Sequence, residues 1–416
     1  MLERVNAFIW GEGLVFLLLF TGGLYTIKLG FIQFRAIPYI LRSVFGKSQD
    51  TNKGLSQWKT VCMSLGTAMG TGNITGVAAA LAIGGAGAVF WMWISAFFGM
   101  ALVYAENVLS VKYSENECRG PMAYISKGLG SKTLSLCFAF FCILASLGMG
   151  GMVQVSSFSE SFRDFVRIND KLLFIGVFLI LLLIISGGAK RIGTAAQCLL
   201  PAASLVYAAA CIWVILQNSS NLPGAVSRIF IGAFGIKQAA GGISGALLSR
   251  SVSVGMRRGI FSNEAGLGSS PLLHSAAESD SFRLQGMWSM FEVFLDTIVC
   301  CTLTAVTILC ASPDLSVSGA FCGLPGGICK PFISVELMIF AFCTIIGWYY
   351  CGEIAFRHIA PSAKTGIFCI IYALTASLGT IFRAETIWTV SDIFNGLMAF
   401  PNLVALLLLI KKVEKE

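Results

Sequence analysis

Two short segments, Gly70-Thr71-Gly72-Asn73-Ile74-Thr75-Gly76 and Phe261-Ser262-Asn263-Glu264-Ala265-Gly266-Leu267-Gly268-Ser269-Ser270, concentrate polar and backbone-permissive residues in an otherwise apolar chain. Their residue types suit recognition rather than bond making. Glycine lets the backbone turn tightly and approach a ligand because no Cβ intervenes. Amides freed at the positive end of a half-helix can hold an anion. Ser262 and Asn263 add a hydroxyl and an amide oxygen, and exposed carbonyls beside them can accept from a cation. A nucleotide-binding loop does not fit the first segment: no strand precedes it, and the spacing of Gly70, Gly72 and Gly76 is off by one.

The elements that must position these groups are membrane helices. The first segment interrupts an uncharged run of 46 residues, Thr60 to Ala105, in which two crossings of roughly 20 residues fit. Irregular backbone at that depth survives only where protein encloses it, because unpaired amides are costly in hydrocarbon. Two interruptions in matching halves of a chain point to a solute site near the midplane.

Composition agrees. The 416 residues are 56% hydrophobic and 12% charged, with mean hydropathy +0.80, against roughly 25% charged residues in soluble proteins. The fold class is therefore an all-α integral membrane protein, its 45 glycines suiting close helix packing. Eleven spans are predicted, at about 13–32, 57–83, 87–111, 134–158, 172–188, 192–216, 239–272, 284–311, 333–356, 365–382 and 389–410. A surface amphipathic piece is expected at about 34–45. Setting the first span aside, ten remain as five plus five, each group opening with its broken helix, which makes an inverted repeat. The domains are 1–56 (first helix and surface segment), 57–217 (first repeat), 218–238 (external connection), 239–410 (second repeat) and 411–416 (tail).

Net charge +8 does not point to nucleic acid, because the basic residues lie between apolar runs and follow an orientation pattern. Connections on one side hold 20 Lys and Arg, with Arg250, Arg257 and Arg258 among them, and the other side holds 8. That excess places the C-terminus in the cytoplasm and the N-terminus outside. Two histidines and the absence of CxxC argue against a metal centre. Most of the 14 cysteines sit in apolar runs as small hydrophobes; for Cys322 and Cys329, in a loop placed outside, a disulfide and two free thiols are both open.

Longer signatures carry a resemblance. Gly70-Thr71-Gly72-Asn73-Ile74, Gly87-Ala88-Val89-Phe90-Trp91-Met92-Trp93, Arg258-Gly259-Ile260-Phe261-Ser262-Asn263-Glu264-Ala265-Gly266, Gly347-Trp348-Tyr349-Tyr350 and Asp392-Ile393-Phe394-Asn395-Gly396-Leu397-Met398 resemble the alanine/glycine:cation symporter family. The resemblance runs from about 33 to 409. It implies a leucine-transporter-type fold and uptake of small amino acids (alanine, glycine, serine) with Na+ or, less often, H+ as coupling ion, no organic cofactor, and a bacterial cytoplasmic (inner) membrane. It further implies that the amides of Thr71 and Gly72, within Gly70–Asn73, bind the substrate carboxylate. Ser262, Asn263 and nearby carbonyls would meet the ammonium, and Phe261 would cover the substrate.

Gln154 reads either as a substrate contact or as an interhelical hydrogen bond, and Trp348 as a pocket wall or a packed indole. The fold's shared sodium site would use carbonyls of Gly66, Met69 and Phe340 with side chains of Cys343 and Thr344. Cys343 departs from the serine expected there, and sulfur is a poor ligand for a hard cation. Glu264 is predicted to tether the broken helix to Arg257 or Arg258, ahead of an ion or proton role. Glu106, Glu292, Asp296 and Asp392 fall inside spans and require partners. Glu292 and Asp296, one helical turn apart, should share a face, as a relay or as caps. A channel lacks its rings of charge or filter loop, and an enzyme lacks a recognisable nucleophile–base setting.

Overall fold

The computed structural model describes residues 2–35, 38, 55–115, 118–234, 244–277 and 281–413. Its regular elements are helices, with two isolated bridges, Leu55 to Ala277 and Glu115 to Cys118. Among the described residues, seven helices are long and apolar enough to cross a membrane: Leu2–Lys28, Gly87–Tyr113, Lys132–Glu160, Gly188–Gln217, Phe282–Ala311, Cys329–Ile359 and Ala384–Leu408. Thr75–Gly84 and Thr365–Thr380 are apolar but shorter. The expected surface piece at 34–45 lies largely outside the described residues.

Both interruptions break their helices. Gln57–Ala68, capped where Ser56 Oγ accepts from the Lys59 amide at 3.4 Å, ends at Met69. A single turn, Thr71–Asn73, separates it from Thr75–Gly84, which stops at Gly85 with φ +74°. The second helix, Ser244–Asn263, ends at Glu264 (φ +55°), and Gly266 (φ +82°) and Gly268 (φ +84°) keep the chain in left-handed turns. Helix resumes only as Ser270–His274. This break starts three residues later than the sequence predicts, because Phe261, Ser262 and Asn263 stay helical and the Asn263 side chain accepts from the Ala265 amide at 3.0 Å.

Two of the long helices contain π-helical stretches, Ser146–Val153 and Phe294–Cys301, and a third stretch, Tyr124–Gly128, follows the short helix Gly120–Ala123. Such stretches shift the side chains that follow and recur at functional sites. Ser146–Val153 immediately precedes Gln154, and Phe294–Cys301 contains Asp296.

Helix packing corrects the charge pattern. Ser251 Oγ donates to the Gly84 carbonyl, and a methyl built on Gly255 would stand 2.4 Å from the Ala88 oxygen. The start of Ser244–Asn263 therefore lies level with the Gly84–Gly87 turn, and Arg250, Arg257 and Arg258 belong at that end of the molecule, opposite to the set in which the sequence counts them. The helix runs on through the arginines because Arg257 and Arg258 face a protein-lined cleft instead of lipid. Reassigning the three changes the bias from 20 against 8 to 17 against 11, with its sign unchanged. The connection between the halves contains a further helix, Leu222–Phe234, whose Gly232 backbone abuts Gly87.

Candidate functional site

The two breaks meet. A methyl at Gly72 would touch the Phe261 ring at 3.2 Å, so the ring lies directly on the glycine backbone. Asp296, fully buried, joins the two segments: Asn73 Nδ2 donates to its Oδ1 at 2.6 Å, and Ser262 Oγ donates to its Oδ2 at 2.7 Å. Thr297 Oγ1 adds a third bond at 2.8 Å. A carboxylate at membrane depth requires such partners, and here they come from the first break and from the helix end that leads into the second. Asn73 Oδ1 is buried with no protein partner, leaving an oxygen available beside the carboxylate.

At the first break, Gln154 takes the place assigned by the sequence to a substrate carboxylate. Its Oε1 accepts from the Thr71 amide at 3.1 Å and from Thr71 Oγ1 at 3.0 Å, while its Nε2 donates to the Met149 carbonyl at 3.2 Å. The Thr71 amide is thus engaged, and the Gln154 oxygen imitates one carboxylate oxygen. Gly70 makes this closeness feasible: a Cβ there would lie 2.6 Å from Thr344 Oγ1 and 3.0 Å from Gln154 Oε1.

The second break is organised differently. Glu264 does not reach Arg257 or Arg258. Its Oε1 accepts from Trp348 Nε1 at 2.8 Å and its Oε2 from Ser269 Oγ at 2.5 Å, so the carboxylate turns inward and spans its own break. The left-handed backbone at Glu264 aims the side chain away from the arginines. Trp348, fully buried, packs its Cβ against Gly150 in the π-helical stretch. Asn263 Nδ2 donates to Ser95 Oγ at 3.4 Å. Asn402 ties the Gly266 carbonyl (2.9 Å) to Glu106 (2.5 Å).

Asp296 and Glu292 do not act as one pair. The π-helical stretch between them breaks the four-residue register, and Glu292 instead accepts from Ser64 Oγ at 2.6 Å and faces His274 Nε2 at 3.1 Å. Asp392 lines a cleft together with Arg257 and Arg258.

Of the expected sodium ligands, Gly66, Cys343 and Thr344 come together. Thr344 Oγ1 donates to the Gly66 carbonyl at 3.0 Å, and a methyl at Gly66 would lie 3.2 Å from Cys343 Cβ. Met69 stands at the end of its helix. Phe340 sits one turn before Thr344, its ring 5.9 Å from that of Tyr207. Cys322 and Cys329 are free thiols, each donating to the Ser318 carbonyl at 3.1 Å.

A cleft of ≈ 530 Å³ opens beside this assembly, lined by Arg257, Arg258, Glu160, Glu385, Trp388 and Asp392 among others. Phe261 and Trp388 stack with centroids 4.9 Å apart, and the Arg258 guanidinium lies 4.7 Å from the Trp388 ring, so these groups separate the cleft from Gly72. On the opposite side only ≈ 10 Å³ remains between Ser64, Asn263, Glu264 and Glu292. The joining role of Asp296 and the stack on Trp388 were not foreseen from sequence. Asp296 was visible as a charge within a span, but nothing in the residue order marked the π-helical stretch that aims it.

Broken helices that meet inside a helical membrane protein define a class, the multi-pass membrane transporter. Residues 1–416 match the model of the sodium:alanine symporter family, and the chain belongs to that family. Its relatives include the sodium/alanine symporter AgcS of Methanococcus maripaludis, 37% identical over 440 residues that cover 100% of this chain and 96% of the relative. An uncharacterized transporter of Haemophilus influenzae is 38% identical over 431 residues, covering 100% and 94%. In fold, the chain is similar to MhsT, whose crystal structure is in complex with L-phenylalanine: TM-score 0.61, 16% identity, 87% of this chain and 90% of that one. The all-helical membrane fold expected from the sequence is therefore present, with a solved transporter similar to it in fold, and the chain is a transporter rather than an enzyme.

Proposed function

We propose that this protein imports small neutral amino acids, alanine and glycine foremost and serine with them, by symport with sodium across a bacterial cytoplasmic membrane. Eleven crossings, the last ten forming two inverted repeats, would place the N-terminus outside and the C-terminus in the cytoplasm. The observation that carries the proposal is the meeting of the two breaks at Gly72, Phe261 and Asp296.

The substrate carboxylate displaces Gln154 Oε1 from the Thr71 amide and hydroxyl and gains the Gly72 amide. The ammonium takes acceptors from the Phe261–Asn263 end of the second helix. Phe261 lies directly against Gly72, which favours a substrate with a small side chain. Sodium requires hard oxygen donors. The Gly66 carbonyl and Thr344 hydroxyl, with carbonyls of Met69 and Phe340 and the Cys343 position, form one candidate set. Asp296 with Asn73 and Ser262 forms a second, charged one. Alternating access follows when the Phe261–Trp388–Arg258 stack and the segments around Ser64 and Glu292 part in turn. Coupling to protons is the second reading, favoured by the sulfur at Cys343.

Labelled alanine and glycine uptake into proteoliposomes, comparing a sodium gradient with potassium and with an imposed pH gradient, tests this. Uptake driven by sodium alone is expected. Uptake driven only by the pH gradient transfers the reading to protons, and no uptake under any gradient overturns it.

A further inference from the structure

One buried polar cluster is not used by the proposed amino-acid site. It lies where three segments meet: Gln57–Ala68, Ser270–His274 and Phe282–Val293. Gln57 and Gln285 exchange amide bonds of 2.8 and 3.3 Å, and Gln285 Oε1 faces His274 Nδ1 at 2.7 Å. With the Gln57–Gln285 pair oriented so that Gln285 Nε2 donates to Gln57, the Gln285 oxygen accepts from His274, and this assignment puts a proton on Nδ1. Across the ring, Nε2 lies 3.1 Å from both oxygens of Glu292, and Ser64 Oγ donates to Oε2 at 2.6 Å.

With Nδ1 protonated, a neutral imidazole presents a bare lone pair at Nε2. A lone pair facing a carboxylate repels it, so one further proton must sit between Nε2 and Glu292, whether as imidazolium with carboxylate or as imidazole with carboxylic acid. Without it, acceptor faces acceptor and a net negative charge remains where His274 is 2% and Glu292 5% exposed, an arrangement burial penalises heavily.

Among the described residues, the groups around the pair include no cation in hydrogen-bond contact with Glu292. Glu264 lies across the ≈ 10 Å³ cavity, with Val103, Ser270 and Ser289 completing the wall. From the first segment come Ser64 and the Cys62 thiol, while Lys59 packs toward Gly193. Arg119 donates to the Ser275 carbonyl at 3.3 Å, beyond the imidazole, and Arg283 is at the exposed start of its helix.

We infer that His274 and Glu292 form a binding site for one proton, filled while these three segments are packed together and emptied to the cytoplasm when they part. In water, a histidine with an ordinary pKa of roughly 6.5 holds a proton only about a quarter of the time at pH 7, so hydration of the pair on opening favours its release. By linkage, the closed-to-open ratio shifts by up to about tenfold per pH unit: cytoplasmic acid keeps the inner side shut, and alkali favours opening. The direction of release rests on the transport reading and orientation above; the protonation state does not.

The chain has two histidines, so ¹⁵N-histidine-labelled full-length protein reports only His274 and His358, and His358→Gln assigns them. His274 is expected to keep Nδ1 protonated from about pH 6 to about pH 8, and Glu292→Gln to abolish the second proton while retaining the first. A bare Nδ1 with a protonated Nε2 in the unmodified protein would overturn the site. In right-side-out vesicles, lowering luminal pH at fixed external pH should slow labelled-alanine exchange by up to about tenfold per unit, and His274→Gln and Glu292→Gln should each flatten that slope. Variants that slow exchange equally at every pH and keep the slope would show a packing role and contradict the inference. An absence of exchange in the unmodified protein, with the Nδ1 signal intact, counts against transport and leaves the proton site standing.

Discussion

The two broken helices are held by different kinds of partner. At the first break, apart from Asn73 on Asp296, the partners are neutral: tight turns within Gly70–Ile74, the carboxamide of Gln154 and the hydroxyl of Thr344 nearby. At the second, carboxylates dominate. Glu264 spans its own break to Ser269 and holds Trp348, while Glu106 is linked through Asn402 to the Gly266 carbonyl. A neutral carboxamide can be displaced by an incoming carboxylate of similar shape at modest cost. Buried carboxylates stripped of their donors cannot be left unpaired. On the proposed reading, the first break is the face that exchanges ligands, and the second is the frame that holds Phe261, the proposed cover, in place.

That contrast can be broken by substitution. Gly72→Val should have the largest effect, lowering alanine uptake at least about a hundredfold, or roughly 2.7 kcal/mol. Its branched side chain meets the Phe261 ring, while membrane insertion, checked by immunoblot of isolated membranes, stays normal. Retained uptake would remove the first break from the ligand face. Asp296→Asn, which keeps the shape but removes the charge shared by the breaks, should raise the sodium concentration for half-maximal uptake about tenfold, equal to roughly 1.4 kcal/mol. An unchanged sodium dependence would assign Asp296 to structure alone.

Glu264→Ala should act on stability, destabilising the protein by about 1–3 kcal/mol because the Trp348 indole loses its acceptor. Glu264→Gln should recover most of the loss in thermal unfolding of the purified protein. Equal losses in both would mean that charge, not hydrogen bonding, matters there. The smallest effect is expected of Cys343→Ser, lowering the sodium requirement by about two- to threefold through replacement of sulfur by a hard oxygen. No response to Ser or to Ala would take position 343 out of the sodium site.

Much of this was legible in residue order. Uncharged runs and glycine clusters located both breaks because hydrocarbon tolerates so few alternatives. The pairing of Gly66 with Thr344 followed from the family resemblance. What escaped the sequence was direction. Glu264 was expected near Arg257 and Arg258 because they are close in the chain, but a positive φ sends it to Trp348. Glu292 and Asp296 were expected on one face because α-helical spacing was assumed, and a π-helical stretch separates them. Arg257 and Arg258 were counted on the wrong side because a cleft, invisible in hydropathy, accommodates them within the helix. Each miss came from tertiary geometry acting on a single side chain, while the elements themselves were marked by composition.

The most direct test of the central claim is a density map of the protein loaded with sodium and alanine. The account predicts a zwitterion between Thr71–Gly72 and Phe261–Asn263, with the Gln154 oxygen moved off the Thr71 amide. Alanine bound only in the cleft beside Arg257 and Arg258, with Gln154 still on Thr71, would contradict it.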